Sequence, residues 1–311
     1  MDLDRVRASV SAYEHDPDVT TADVARLRFF EGLLELQQGR AEELARKAPY
    51  ELPAGLDFVS VYRDPRQFVL GSAPVRIDAA DFAQTLASVA RYVTAGAGLD
   101  EQAAHAIASL DWDAVAARAD LALAGADPAA FVEAVLGAPE KLGIPAEVPG
   151  GLLGTILVSA LRPHLQPAAE VIAAAYAKVE DPHGYSAPLD CPVCGSPATA
   201  SWVGDAAGTS GRGRKQYCAT CGTQWDFDRI RCDNCGTHNE GHLHYHSVEG
   251  DPGHRILTCD ECGGYERVVF QEDLRHGPLV MEVEDVVMAN LDQVVRDPRF
   301  KASVTTAKAT A

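Results

Sequence analysis

The chain has 311 residues, enough for two domains that each bury a core, and its formal net charge is −18 at pH 7. Nucleic-acid-binding proteins gain most of their affinity from basic side chains on phosphates, so this acidic balance disfavours a nucleic-acid partner. The basic cluster Arg212, Arg214 and Lys215 lies in a glycine-rich stretch, and we interpret it as the solvated tip of a loop.

The N-terminal half shows neither a targeting peptide nor a membrane segment. The chain opens with Met1-Asp2-Leu3-Asp4, which is acidic where a targeting peptide is basic. The longest apolar run, from Gly150 to Leu161, is shorter than the ~20 residues that span a bilayer. We therefore expect a cytoplasmic protein without a membrane partner, in which thiols stay reduced.

Residues 1–180 contain no cysteine, and their apolar residues recur at helical spacing. The clearest stripe follows a candidate N-cap, Asp78, and precedes Gly96, and it consists of Phe82, Leu86, Val89 and Val93. Similar signals predict helices through Val24 to Leu34, from Pro128 to Gly137, and after Gly151 and Pro167. The stretch from Tyr50 to Arg76 is rich in turn residues and predicts an ordered loop or a short strand pair. This half is therefore predicted to be a helical domain.

The apolar period changes after a predicted linker at residues 181–190. Alternation of Trp225 with Phe227, and of Val268 with Phe270, predicts short strands within residues 191–275. A last helical stripe predicts a C-terminal helix within residues 276–300, through Val283, Val287, Leu291 and Val294. The tail, residues 301–311, is small and polar and is predicted to be disordered.

All eight cysteines lie in four CxxC pairs, each followed by a glycine. The pairs are Cys191 and Cys194, Cys218 and Cys221, Cys232 and Cys235, and Cys259 and Cys262. Two thiolates at this spacing converge on one ion when the chain turns tightly, and the following glycine supplies the positive φ that such a turn needs. Two pairs complete a tetrahedron around zinc or around rubredoxin-type iron. The sequence therefore predicts two metal ions, iron or zinc, each held by four cysteines.

The spacing also predicts which pairs share an ion. The first and second pairs are separated by 23 residues, as are the third and fourth, whereas only 10 residues separate the second from the third. The equal length of these two loops favours a sequential pairing, in which neighbouring CxxC pairs share an ion. The alternative is an interleaved cross-brace, in which the first and third pairs share one. The fold class is then α+β, a helical domain followed by two tandem rubredoxin-like or zinc-ribbon modules with short strands. Because each module has few apolar residues, we expect this segment to fold only with metal bound.

Two other interpretations of the CxxC pairs are disfavoured. A disulfide framework suits small secreted domains, and no signal peptide is evident here. A thioredoxin-like redox site has one CxxC at the start of a helix in a βαβ unit, whereas this chain has four matched copies.

No other motif in the sequence predicts catalysis. His242, His244 and His246 alternate on a predicted strand, and we interpret them as an exposed face because no carboxylate or cysteine accompanies them at ligand spacing. Walker, Rossmann, nucleophile-elbow and HExxH motifs are absent from the sequence. Four thiolates per ion leave no open coordination position, so we expect no catalytic residues and no enzyme activity.

An ordered series of motifs resembles the formate dehydrogenase accessory protein family, FdhE. Its blocks are Cys191-Pro192-Val193-Cys194-Gly195-Ser196-Pro197, Tyr217-Cys218, Cys221-Gly222-Thr223-Gln224-Trp225, Arg229 to Gly236, Leu243 to Val248, and Cys259 to Tyr265. The resemblance implies a cytoplasmic maturation factor that contacts the catalytic subunit of formate dehydrogenase, with the eight cysteines as ligands of iron or zinc. The alternatives are a rubredoxin-like iron protein for electron transfer and, less favoured, a nucleic-acid-binding zinc ribbon.

Overall fold

The structure is a computed structural model that describes residues 1–64, 67–96, 98–176, 187–205, 212–298 and 300. The chain divides into two compact units that do not follow chain order. The first contains Met1, Glu31–Ala198 and Cys218–Trp225, and the second contains Asp2–Phe30, Thr199–Tyr217 and the chain from Asp226 onward. The predicted linker falls mostly outside the described residues, as does the predicted disordered tail, so the domain boundaries stay predictions.

The first unit is built from helices. In chain order they are α2 (Thr21–Lys47, from residue 31), α3 (Phe58–Arg63), α4 (Val69–Ser72), α5 (Ala79–Gly96), α6 (Glu101–Ala108), α7 (Trp112–Arg118), α8 (Leu121–Ala126), α9 (Pro128–Gly137) and α10 (Gly150–Tyr176). Aspartates cap the N-termini of many of these helices. At α5, for example, Asp78 Oδ1 accepts hydrogen bonds from the backbone N–H groups of Ala80 and Asp81. The predicted stripe of α5 forms part of the core, with Phe82, Leu86, Val89 and Val93 all buried.

Two helical segments differ from the sequence prediction. The stretch from Tyr50 to Arg76 contains the short helices α3 and α4 where a loop or strand pair is predicted. The first begins at Asp57, whose carboxylate accepts two backbone N–H groups. The second difference is that the two helices predicted after Gly151 and Pro167 form one helix, α10, with Pro163 and Pro167 inside it. Both prolines lie within a mostly buried stretch of α10. Tertiary packing therefore keeps the helix continuous although each proline removes a helical hydrogen bond. Among the described helices, none is long and apolar enough to cross a membrane.

Six strands form one sheet in the described part of the chain, in the order β3-β2-β1-β6-β5-β4. They are β1 (Ala200–Asp205), β2 (Arg212–Tyr217), β3 (Gln224–Phe227), β4 (Leu243–Val248), β5 (Asp251–Cys259) and β6 (Tyr265–Phe270). β1 pairs with β6 in parallel, with Trp202 opposite Val269, so the strands of the two predicted modules form one continuous sheet. Val203, Leu257, Val268 and Phe270 pack together across this junction. Each module therefore gains from the other the apolar contacts that it lacks alone.

The second unit also contains α1 (Leu3–Glu14), α11 (Met281–Val287) and α12 (Ala289–Arg296). The last two helices meet at Met288, where the sequence predicts a single helix. A buried polar network attaches α1 to this unit. The Tyr13 hydroxyl donates to Glu284 Oε2 at 2.6 Å, and the same oxygen lies 2.8 Å from His254 Nε2. His254 Nδ1 in turn lies 2.8 Å from Asp251 Oδ2.

The basic cluster is not a solvated loop tip. Arg214 and Lys215 lie on strand β2, and Arg214 is buried in an ion pair with Glu266 of β6. The side chain of Arg212 lies outside the described part of the chain. The error arises because a buried arginine on a strand has the same local sequence as an exposed one, and its partner is 52 residues away.

Candidate metal centres

The structure brings the eight cysteines into two groups of four. Cys191, Cys194, Cys218 and Cys221 form the first centre, and Cys232, Cys235, Cys259 and Cys262 form the second. Within each group the four sulfur atoms lie within 4.8 Å of one another. The grouping is sequential along the chain, as the equal long loops predict, and not an interleaved cross-brace.

The sulfur–sulfur distances fit a tetrahedral ion. The Sγ atoms of Cys191 and Cys221 are 3.6 Å apart, and so are those of Cys194 and Cys218. In the second centre the corresponding distances are 3.8 Å. A tetrahedron with metal–sulfur bonds of about 2.3 Å has edges of about 3.8 Å. Both donor sets therefore suit zinc or rubredoxin-type iron, whose tetrahedral sites are built from four thiolates.

Each CxxCG turn has the same backbone geometry. The glycine after the second cysteine has a φ between 72° and 82°, in the left-handed region, at Gly195, Gly222, Gly236 and Gly263. Its N–H donates to the carbonyl of the first cysteine of the pair, as from Gly195 to Cys191 at 2.8 Å. Glycine adopts this positive φ without a steric clash, which is why a glycine is expected after each CxxC pair.

The first centre is surrounded by its own unit. Its four cysteines are at most 1% exposed. The N–H groups of Val69 and Leu70 in α4 donate to the carbonyls of Pro192 and Val193, each at 2.9 Å. On the other side, the Arg162 guanidinium of α10 donates to the Ala219 carbonyl at 3.1 Å. The helices thus hold both turns of this centre.

The second centre is partly open to solvent. Cys235 and Cys262 are exposed, whereas Cys232 and Cys259 are 2% and 3% exposed. Two N–H groups donate to one of its sulfurs. Asn234 Nδ2 and the backbone nitrogen of Gly264 each lie 3.4 Å from Cys262 Sγ. Such donors spread the negative charge of a thiolate and orient it.

Burial opposes the thiolate form of two cysteines in the first centre. It raises the pKa of the Cys191 and Cys194 thiols well above their usual range, because the charged form loses its hydration. At Cys221, by contrast, the effect of burial is outweighed by hydrogen bonds from the other three cysteines and Thr223, which lower the pKa of the thiol. A bound metal ion reverses the effect of burial by stabilising the deprotonated sulfur. The assignment of the eight cysteines as ligands stays a prediction, and the two groups are arranged as it requires.

The alternating histidines have carboxylate neighbours that the sequence pattern did not reveal. His244 Nε2 lies 3.1 Å from Asp260 Oδ2, and His242 Nδ1 lies 3.6 Å from Glu261 Oε2. Both acids belong to the turn between Cys259 and Cys262. The register of β4 with β5, which pairs His244 with Thr258, brings them together. Outside the two cysteine groups, the described residues contain no cluster of three or more ligands placed for a metal ion.

Arg214 supports the approach to the second centre. Its guanidinium donates to the carbonyl of Arg231, the residue before Cys232, at 2.8 Å, and it lies 5.0 Å from the centre of the Phe227 ring. The same side chain donates to Ser201 Oγ and pairs with Glu266. The partners of Arg214 are distant in sequence, so the local pattern predicts a loop there and does not reveal this role.

Fold and site together define a class of protein, a helical domain with a pair of four-cysteine ribbons that share one sheet. A family model described as "FdhE, central domain" matches residues 190–229. Protein FdhE of Escherichia coli O1:K1 / APEC is 37% identical over 112 residues, which cover 36% of this chain and 33% of that protein. Protein FdhE of Shigella boydii serotype 18 matches with the same values. The match thus spans about a third of the length of these relatives.

A solved structure extends the likeness to the fold of the whole chain. The crystal structure of the FdhE protein from Pseudomonas aeruginosa aligns with a TM-score of 0.51 and 20% identity, covering 95% of this chain and 92% of that one. The family model and the relatives confirm the resemblance to the FdhE family over the cysteine-rich segment, and the solved structure shows a similar fold. The predicted fold class, a helical domain followed by two four-cysteine ribbon modules, is confirmed as well.

Proposed function

We propose that this protein is an accessory factor for the maturation of formate dehydrogenase and acts by contact with the catalytic subunit of that enzyme. The observation that carries the proposal is the match of the first cysteine-rich segment, residues 190–229, to the FdhE central domain. The FdhE-like fold of the whole chain supports it. The protein is proposed to work in the cytoplasm, before the client is exported and assembled.

In this proposal each cysteine group holds one ion of iron or zinc. The ligands are Cys191, Cys194, Cys218 and Cys221 in the first centre, and Cys232, Cys235, Cys259 and Cys262 in the second. A structural tetrathiolate ion contributes about 10–16 kcal/mol in zinc-finger peptides, as much as the net stability of a domain. The cysteine turns are then held rigid, and a rigid surface binds a client with little loss of conformational entropy.

The proposed role is not enzymatic. Four cysteine sulfurs complete a tetrahedron, so neither centre keeps a position for a substrate or an activated water. The protein instead offers the client a surface. Nucleic acid is not the proposed partner, because Arg214 of the basic cluster is buried and Lys215 is paired with Asp226.

A co-purification experiment tests the proposed partner. Zinc-loaded full-length protein is immobilised and mixed with the catalytic subunit of formate dehydrogenase from the same organism, and in parallel with a flavoprotein of similar charge. We expect enrichment of the catalytic subunit over the flavoprotein. Equal retention of the two proteins contradicts the proposal.

One-electron transfer is the second candidate, and the exposure of Cys235 and Cys262 favours it. An iron ion with solvent-exposed thiolate ligands exchanges electrons with a partner more readily than a buried one. Visible thiolate-to-iron absorption that bleaches reversibly with dithionite supports this candidate. Colourless, zinc-loaded protein from the native source eliminates it.

A further inference from the structure

The two centres have the same ligands but very different access to solvent. In the first centre all four cysteines are buried, at 1% exposure or less. In the second centre Cys235 and Cys262, the second cysteine of each pair, are exposed. One cysteine from each of its two turns is therefore exposed to solvent.

The packing around the glycines shows the same contrast. A Cβ atom on Gly195, in the first centre, would lie 2.5 Å from the Phe68 ring, and one on Gly222 would lie 3.1 Å from the Arg162 guanidinium. A Cβ atom on Gly263, in the second centre, would meet nothing within 4 Å. The first centre is thus enclosed by side chains of its unit, while the last turn of the second is open.

The hydrogen bonds around the first centre also resist opening. Its turns accept backbone and guanidinium donors from α4 and α10, through the carbonyls of Pro192, Val193 and Ala219. Exposing a sulfur there breaks these bonds and separates the turn from buried helices. At the second centre, Cys235 and Cys262 are already exposed in the folded structure.

Replacement of a thiolate-bound ion begins when an incoming ligand reaches the ion or a proton reaches one sulfur. Both steps need solvent access, so buried cysteines are inert while partly exposed ones react. A buried site exchanges only through local opening, whose free energy adds to the barrier.

From these contrasts we infer that the second centre is an exchangeable metal site, whereas the first retains its ion as long as the unit stays folded. The inference rests on the proposed function, in which both cysteine groups bind an ion. The exchange partners are small chelators with thiolate or nitrogen donors, and divalent cations that compete for the same thiolates. With a chelator, the incoming donor takes the place of a cysteine sulfur on the ion. With a competing cation, the incoming ion binds the thiolate that the first ion gives up, and water takes the place of that thiolate on the first ion. A displaced thiolate that no cation binds takes a proton from solvent, and no electron is transferred.

Zinc release from the full-length protein tests the inference. Protein loaded with two equivalents of zinc is mixed with excess 4-(2-pyridylazo)resorcinol, and the absorbance of the zinc complex is followed. We expect two phases of one equivalent each, with the slow phase at least roughly tenfold slower, which corresponds to an opening cost of about 1.4 kcal/mol.

Two measurements assign the phases to the centres. Cys262→Ser is expected to remove the fast phase and leave the slow one, while Cys194→Ser is expected to remove the slow phase. Because Cys194→Ser removes a buried ligand and can prevent folding, brief labelling of the unaltered zinc protein with iodoacetamide provides an independent assignment by peptide mass spectrometry. Cys235 and Cys262 should be labelled first, Cys232 and Cys259 with the loss of the fast ion, and the first centre last.

The outcomes distinguish a failure of this inference from a failure of the proposed metal binding. Protein that binds fewer than two zinc ions overturns the proposed metal binding and this inference with it. Two bound ions that leave in a single phase overturn the inference alone. So does labelling of the first centre at the rate of Cys235 and Cys262.

Discussion

Arg214 shows how one buried side chain supports the second centre. Its side chain and that of Glu266 are 0% and 3% exposed. Removing one partner of such a pair leaves an uncompensated buried charge. We predict that Arg214→Met lowers the free energy of unfolding by about 3–5 kcal/mol, measured by urea denaturation of zinc-loaded protein.

Lys215→Met is the matched control, because the next residue forms an ion pair that is much more exposed than that of Arg214. Lys215 Nζ lies 2.6 Å from Asp226 Oδ1, and the two side chains are 28% and 75% exposed. Such surface pairs contribute less than about 1 kcal/mol. Equal losses for Arg214→Met and Lys215→Met contradict this account of the buried pair.

His254 makes the stability of the second unit depend on pH. Burial alone lowers the pKa of its imidazole, but hydrogen bonds to Asp251 and Glu284 raise that pKa from 6.5 to about 9. The charged imidazole is therefore preferred in the folded state. Its contribution is fully present below pH 6.5 and is lost as the pH rises through about 9.

We predict that His254→Asn costs more stability at pH 6 than at pH 9. The difference between a pKa of 6.5 and one of about 9 corresponds to about 3 kcal/mol, which is the largest change expected. Urea denaturation of both zinc-loaded proteins across this range measures it. A cost of His254→Asn that stays constant with pH contradicts the assignment.

At the scale of elements, the CxxCG turns differ in what surrounds their glycines. Alanine at Gly195 or Gly263 must adopt a positive φ, at a cost of about 1–2 kcal/mol. At Gly195 the new Cβ also collides with the Phe68 ring, and overpacking adds about 1–3 kcal/mol. We predict a larger fall in melting temperature for Gly195→Ala than for Gly263→Ala, measured by calorimetry of zinc-loaded protein. The same fall for both variants refutes the packing contrast between the two turns.

Local sequence patterns predict the elements that are stabilised by residues close together in the chain. The α5 stripe from Phe82 to Val93 and its N-cap Asp78 depend on residues within one helix, and both appear in the structure. The same holds for the cysteine pairs, since the four residues of each CxxC motif and the following glycine contain the whole turn.

Elements stabilised by distant partners are the ones that sequence analysis missed. α4 donates two N–H groups to a cysteine turn more than a hundred residues later along the chain, which no local pattern near Val69 reveals. Arg214 is buried because Glu266 lies on β6. The carboxylates beside His242 and His244 likewise come from the fourth cysteine turn.

At the scale of the whole molecule, the two ribbon modules depend on each other. β1 and β6 pair in parallel, and the apolar cluster of Val203, Leu257, Val268 and Phe270 spans their junction. This cluster is small, so in the proposed function the two metal ions supply much of the stability of the sheet.

Metal removal is therefore expected to unfold the sheet before the helices. After chelation under reducing conditions, we predict faster amide hydrogen exchange throughout β1, β5 and β6, while α5 keeps its protection. Added zinc should restore the original exchange rates, which controls for irreversible damage. Unchanged protection of the sheet in metal-free protein contradicts the prediction.

The most direct measurement is native mass spectrometry of full-length protein purified without oxygen. We predict a compact species that carries two ions of iron or zinc, with all eight cysteines free of disulfide bonds. A compact species without metal, or one whose mass shows cysteines joined to one another, contradicts it.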